Sequence, residues 1–76
     1  MLTALQLMKR DLVKVPEGTT ILDAAKVMRQ HRVGSVLVEH GAKIIGIVTE
    51  TDIVREVIGT GRMPGFITVG KIMSSP

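Results

Sequence analysis

Two apolar runs, Ser35 to Glu39 (Ser-Val-Leu-Val-Glu) and Lys43 to Thr49 (Lys-Ile-Ile-Gly-Ile-Val-Thr), are separated only by His40, Gly41 and Ala42. Short runs rich in Val and Ile around a Gly-bearing reversal predict a β-hairpin. Both runs are apolar at consecutive positions, so neither has a polar side to turn toward water. Such strands ask for burial on both faces. An isolated hairpin is not stable in water, so the remainder of the chain has to cover this one.

The flanking segments supply the cover. Asp11 to Val15 sets Leu12 and Lys14 against Val13 and Val15, the alternation of a short strand. Pro16-Glu17-Gly18 is a turn. Thr20 followed by Asp23 has the spacing of a helix start. Ile21, Ala24, Ala25 and Met28 then fall on one helical face. Arg29, His31 and Arg32 suit the negative end of that helix, and Gly34 is expected to stop it. A second helix is expected from Thr51 to Ile58, with Ile53, Val54, Val57 and Ile58 on one side and Gly59 and Gly61 as its stop. Residues 3 to 10 suggest a short helical turn, Arg62 to Gly65 a loop, Phe66 to Val69 an extended piece, and Gly70 to Met73 another helical turn. The order strand, helix, strand, strand, helix predicts an α+β fold, a small sheet with two helices on one side. Residues 1–67 make the unit. Residues 68–76 read as a tail, or as the start of a second copy, because Thr68, Ile72 and Met73 echo Thr3, Leu7 and Met8.

A chain of 76 residues buries only about 60% of the surface its unfolded form exposes, so the core is marginal. Domains of this size usually carry a staple. There is no Cys for a disulfide, and His31 and His40 are too few for zinc. A partner chain, a further part of the protein or a bound ligand is left as the stabiliser. Leu22, Val27, Val54 and Ile58 look like surplus apolar surface, which points to association. The apolar content of 45% argues against disorder, and no run approaches the roughly 18 residues of a membrane span. With no signal-peptide pattern and no Cys, a cytoplasmic location is expected. Ten basic against seven acidic residues give a net charge of +3, spread along the chain apart from Lys9, Arg10 and Lys14. Phe66 is the only aromatic, which makes nucleic-acid binding a poor fit. No nucleophile with its base and orienting group is visible, so an enzyme is not expected.

The segment Gly46-Ile47-Val48-Thr49-Glu50-Thr51-Asp52 crosses from a strand into a helix start. Free N–H groups and the positive dipole end favour an anion there. Thr49 and Thr51 could donate to a phosphate, and Asp52 could accept from ribose hydroxyls, as an acid does in other nucleotide folds. Gly46 suggests a close backbone approach. The alternative is purely structural: Thr49 with Asp52, like Thr20 with Asp23, fits helix capping, and Gly46 fits a bulge.

Beyond these local readings, the chain resembles a CBS domain, the regulatory module named after cystathionine β-synthase. The similarity runs through Leu7 to Pro16, Thr19 to Met28, Val33 to Val38 and Ile45 to Arg55, which is nearly the whole chain. The last stretch resembles the family's ribose and phosphate signature: Gly, apolar, any residue, Thr or Ser, two of any, then Asp. The resemblance implies that Thr49 contacts phosphate and Asp52 the ribose. It implies an adenine lying between Val13 to Pro16 (with Val15), Thr20 and Ile21, and Val33, Gly34, Ser35 and Val36. Gly46, Ile47 and Thr51 complete the stretch, and Arg55, one turn on, is placed to reach a phosphate. For Ile21, Val33 and Val36 core packing is the alternative, and for Arg55 ordinary surface. Such domains usually come in pairs with the ligand between them, and one complete copy is present here. A homodimer through the helix faces is therefore expected. The implied function is a non-catalytic sensor of an adenosyl ligand: AMP first, then ADP or ATP, with S-adenosylmethionine behind them and no cofactor required. The alternative is a homodimerisation module with an empty cleft.

Overall fold

The computed structural model describes residues 12–75. Its elements are β1 (Lys14–Pro16), α1 (Ile21–His31), β2 (Ser35–His40), β3 (Lys43–Thr49) and α2 (Glu50–Glu56). Two 3₁₀ turns follow, Ile58–Thr60 and Pro64–Phe66, and then the short α3 (Val69–Ile72). The sheet order is β1-β2-β3. The hairpin forms as the sequence requires: β2 and β3 are antiparallel, from Ser35 opposite Thr49 to His40 opposite Lys43. Gly41 takes the positive φ (61°) that the reversal needs. Val38 faces Gly46 while Glu39 faces Ile44, so Ile45 is the extra residue of a bulge. β1 is parallel to β2, and α1 is the crossover between them.

The inner sheet face holds Val15, Val36, Val38 and Val48, all buried, and α1 lays Ile21, Ala24 and Met28 on it. Ala25, expected on that face, lies half-buried at its margin. Val57 and Val69 complete the core. Among the described residues no element covers the other face. Lys14, Leu37 and Ile47 form a row across it, with Ile44 46% and Ile47 36% exposed. The burial expected on both faces is thus met on one, because α1, α2 and α3 all serve the same side.

Boundaries move where backbone geometry decides them. β1 is described as Lys14–Pro16, later than the expected Asp11 to Val15, and Asp11 lies outside the described residues. α1 is stopped by Arg32, not Gly34: Arg32 adopts the left-handed conformation (φ 55°, ψ 44°). The Val33 N–H then reaches back to the Met28 carbonyl at 3.0 Å, satisfying a terminal acceptor. α2 ends at Glu56, two residues short of expectation, because Val57 leaves the helix (φ −117°, ψ −68°) and turns into the core while Ile58 stays 57% exposed. Of the expected extended piece Phe66 to Val69, Ile67 and Thr68 are extended, Phe66 closes a 3₁₀ turn, and Val69 opens α3. Val27 packs half-buried against the core and is not surplus surface. The expected turn at residues 3 to 10, and the Thr3 to Met8 side of the echo, lie outside the described residues.

Residues 68–75 fold back onto the unit. Thr68 bridges Thr20, the Val69 N–H donates to Thr19 O at 2.8 Å, and Ser74 exchanges backbone hydrogen bonds with Ile47 at 2.9 and 3.0 Å. Met73 and Ser74 therefore lie against Gly46, where an added Cβ would meet Met73 Sδ at 2.5 Å and Ser74 O at 2.9 Å. The close approach that Gly46 announced is made by the chain itself. His40 Nδ1 pairs with Glu17 Oε1 and ties the β1–α1 turn to the end of β2. No helix of the described residues is long and apolar enough to cross a membrane. Replacing Gly46 with Val should destabilise the domain by about 1–3 kcal/mol in urea unfolding, the usual cost of overpacking. Combining Gly46→Val with Met73→Ala should not restore full stability, because the Ser74 carbonyl still obstructs the new side chain.

Candidate ligand-binding corner

The β3–α2 junction is built on a reciprocal cap. Thr49 has extended geometry (φ −107°, ψ 164°) and precedes the first helical residue. Its Oγ1 accepts from the Asp52 N–H at 3.1 Å, and Asp52 Oδ2 accepts from the Thr49 N–H at 2.9 Å. Two otherwise orphaned donors are satisfied at once. The capping alternative is therefore realised. It also fixes both side chains in one rotamer. The Thr49 hydroxyl proton and the second Asp52 oxygen have no hydrogen-bond partner among the described residues.

Strand pairing brings further residues of the expected site to this corner. Ser35 is opposite Thr49, and the Glu50 N–H donates to Gly34 O at 3.0 Å. Val13 stands beside β2, its carbonyl accepting from the Leu37 N–H at 2.9 Å. Val33 is half-buried next to Gly34, and Thr51 and Arg55 are exposed on α2. Other expected residues go elsewhere. Val15, Ile21 and Val36 have their side chains in the core, which is the packing alternative for Ile21 and Val36. Thr20 caps α1 by accepting from the Asp23 N–H at 3.1 Å, and with Ile21 it is hydrogen-bonded to the 67–69 segment. Gly46 is buried under Met73, and Ile47 lies on the open sheet face.

An open cleft of about 660 Å³ lies between α1 and α2 beside the corner; Gly34 and Glu50 border it there, whereas Thr49 and Asp52 are not among its lining residues. Met28, Val33 and Ile53 give it apolar walls, and Arg29, Arg32 and Glu50 supply charge. Glu50 and Asp52 in the first turn of α2 suit its dipole but oppose an incoming anion. Arg29 and Arg32, both exposed, lie across the cleft from Glu50 and offset that opposition. From sequence these two arginines are expected only as helix-end charges: Arg29 lies in the last turn of α1 and Arg32 at its left-handed stop, and no local signal marks them as bordering one cleft.

Fold and corner together define a β-α-β-β-α domain with a capped strand-to-helix junction beside an open cleft between its helices. The family model for the CBS domain matches residues 4–59, and the chain belongs to that family. It is 39% identical over 61 residues to the CBS domain-containing protein CBSCBSPB3 of Arabidopsis thaliana, a match over 79% of this chain and 11% of that protein. The chain thus spans a small part of that relative. Among solved structures, it is similar to a cystathionine β-synthase domain protein fused to a Zn-ribbon-like domain. That match has a TM-score of 0.83 and 32% identity, covering 87% of this chain and 94% of the other. It is also similar to a hexameric CBS-CP12 protein from bloom-forming cyanobacteria. There the TM-score is 0.84 with 36% identity, over 100% of this chain and 45% of the other.

The cap has a measurable weight. Thr49→Val, which keeps shape but removes the acceptor, should cost about 1 kcal/mol in urea unfolding, whereas Thr49→Ser should cost a few tenths at most. Equal losses in the two variants would show that the cap does not hold α2.

Proposed function

We propose that this chain is a non-catalytic regulatory module that binds an adenosyl ligand, AMP foremost and ADP or ATP next, in a cleft shared with a second CBS unit. The observation that carries the reading is the corner itself. Thr49 and Asp52 are pre-set by their mutual cap, with one donor and one acceptor to spare, beside the Gly34–Ser35 backbone. On this reading the Thr49 hydroxyl donates to a phosphate oxygen. Asp52 accepts from the vicinal ribose hydroxyls. Val13, Val33, Gly34 and Ser35 form the base wall, and Thr51 and Arg55 stand at the phosphate end. Val15, Ile21 and Val36 are core residues and take no part in the wall. Arg29 and Arg32 lower the cost of bringing phosphate close to Glu50. A ligand bridging two units stabilises one of their arrangements and biases whatever is attached to them.

The test separates ligand contact from capping. Asp52→Asn keeps a carbonyl oxygen for the Thr49 N–H but gives up the second acceptor. It should leave the unfolding midpoint near wild type and weaken AMP binding in calorimetry by about 1–3 kcal/mol. Asp52→Ala should lower both. In a thermal-unfolding panel of AMP, ADP, ATP, NADH and S-adenosylmethionine, a ligand at 100 times its Kd should add about 2.7 kcal/mol, several degrees for a domain of this size. AMP affinity that is unchanged in Asp52→Asn removes the ribose assignment.

A second reading is a homodimer through helix faces, with or without nucleotide. Leu22, Val54 and Ile58 support it, at 42%, 59% and 57% exposed. Full burial of such a side chain is worth roughly 1.5–3 kcal/mol, so burying the exposed half of each adds about 1 kcal/mol, and an isologous contact counts every one twice. Light scattering at tens of micromolar should give a dimer, and Val54→Lys should convert it to monomer with secondary structure retained. A wild-type monomer under those conditions counts against this pairing.

A further inference from the structure

Between Val57 and Pro76 the sequence carries two charges, Arg62 and Lys71, and no acid. The same stretch holds the most exposed apolar side chains of the described residues, Phe66 at 87% and Met63 at 63%. Together with Ile67 they line an open groove of about 670 Å³, with Arg62 and Lys71 completing it and no carboxylate among the lining side chains. Phe66 is not a loose tip. Pro64 opens its 3₁₀ turn, and the Phe66 N–H donates to Met63 O at 2.9 Å. The next carbonyl, Ile67 O, accepts from the Ile21 N–H at 2.8 Å, which anchors the turn to α1. An aromatic ring left 87% exposed gains little for this fold. An exposed aromatic on an anchored backbone, in an apolar groove rimmed by cations, is the arrangement of a protein-binding hot spot.

We propose that the Met63–Phe66–Ile67 groove docks a segment of a partner protein in which apolar side chains are interspersed with Asp or Glu. The apolar residues would seat against Phe66 and Met63, and the carboxylates would meet Arg62 and Lys71. Charge complementarity selects this occupant. A membrane surface gains about 1 kcal/mol for each nearby cation and would need more than the two present here. A nucleic-acid strand stacks on successive aromatics, and Phe66 is the only one in the chain. Leu22 of the helix-face pairing proposed above lies beside Gly65 of this turn, so a second copy is the competing occupant, and the test includes it. The inference does not depend on nucleotide binding.

The test uses the full chain on an array of short peptides that vary independently in Leu and Phe content and in Asp and Glu content. Binding should require both, and should fall as salt is raised. For the best peptide, replacing its acids by Asn and Gln should weaken binding at least tenfold, and Phe66→Ser in the protein should do the same. Arg62→Gln with Lys71→Gln should flatten the salt dependence. All three side chains are exposed, so the variants should unfold at the wild-type midpoint. Affinity that ignores peptide acidity or is unchanged in Phe66→Ser overturns the proposal. So does an array without binders. Phe66-dependent binding to phosphatidylserine vesicles or oligothymidylate in place of the acidic peptides, or a dimer that Phe66→Ser dissolves, overturns it in favour of that other occupant.

Discussion

A sheet has two faces, and the described residues cover one of them. Buried N–H and C=O groups of the hairpin are satisfied by strand pairing whichever face is covered, so hydrogen bonding does not choose. Apolar area does. The sequence places Val36, Val38 and Val48 on one face, small β-branched side chains that pack closely under Ile21, Ala24 and Met28 of α1. Leu37, Ile44 and Ile47 on the other face are larger, yet nothing described lies over them. Among the described residues the sheet therefore has one covered face and one open face.

The closed side is completed by the last residues of the chain. α1 and α2 alone would leave the inner face short of cover near Gly46 and below Thr19. Val69, fully buried, fills the second place, and Met73 fills the first. This is why Gly46 has no side chain: the thioether of Met73 and the Ser74 backbone occupy the volume a Cβ would need. A flexible, unbranched Met suits an irregular gap beside a bulge. The bulge at Ile45 and the glycine at Gly46 thus belong to one device, which bends β3 and admits the returning chain.

Strand alternation, helix starts and the capping pairs are local properties, and they were legible. The hairpin, the Ile21-Ala24-Met28 face and the Thr49–Asp52 junction stand where the sequence reading put them. What was not legible depends on tertiary demand. Nothing in Arg32 marks it as a left-handed stop, since glycine two residues on is the better local candidate, yet the path from α1 into β2 requires the turn earlier. Val57 has the spacing of a helix residue and leaves the helix because the core needs it. Val15, Ile21 and Val36 look equally suited to a ligand wall and to a core from sequence alone, as both are apolar. Only the path of 67–69 across Thr20 and Ile21 separates these two residues from the corner at Thr49. Arg29 and Arg32 were passed over because a cation at a helix end already has a sufficient local explanation.

On the proposed function, capping and recognition fall on one pair of residues. The cap uses one oxygen of Asp52 and one lone pair of the Thr49 hydroxyl, and it leaves the other carboxylate oxygen and the hydroxyl proton without a partner among the described residues. An uncapped Asp at this site would have to give up rotamer freedom on meeting a ligand, at a cost of the order of 0.5–1.5 kcal/mol for an immobilised side chain. The capped Asp52 has already lost that freedom in folding. A local motif that exists for helix stability therefore also lowers the entropic cost of binding at the same atoms. The capping role of Thr49 and Asp52 and the binding role proposed for them therefore do not compete: on the proposed function, the first would supply the pre-set geometry that the second needs.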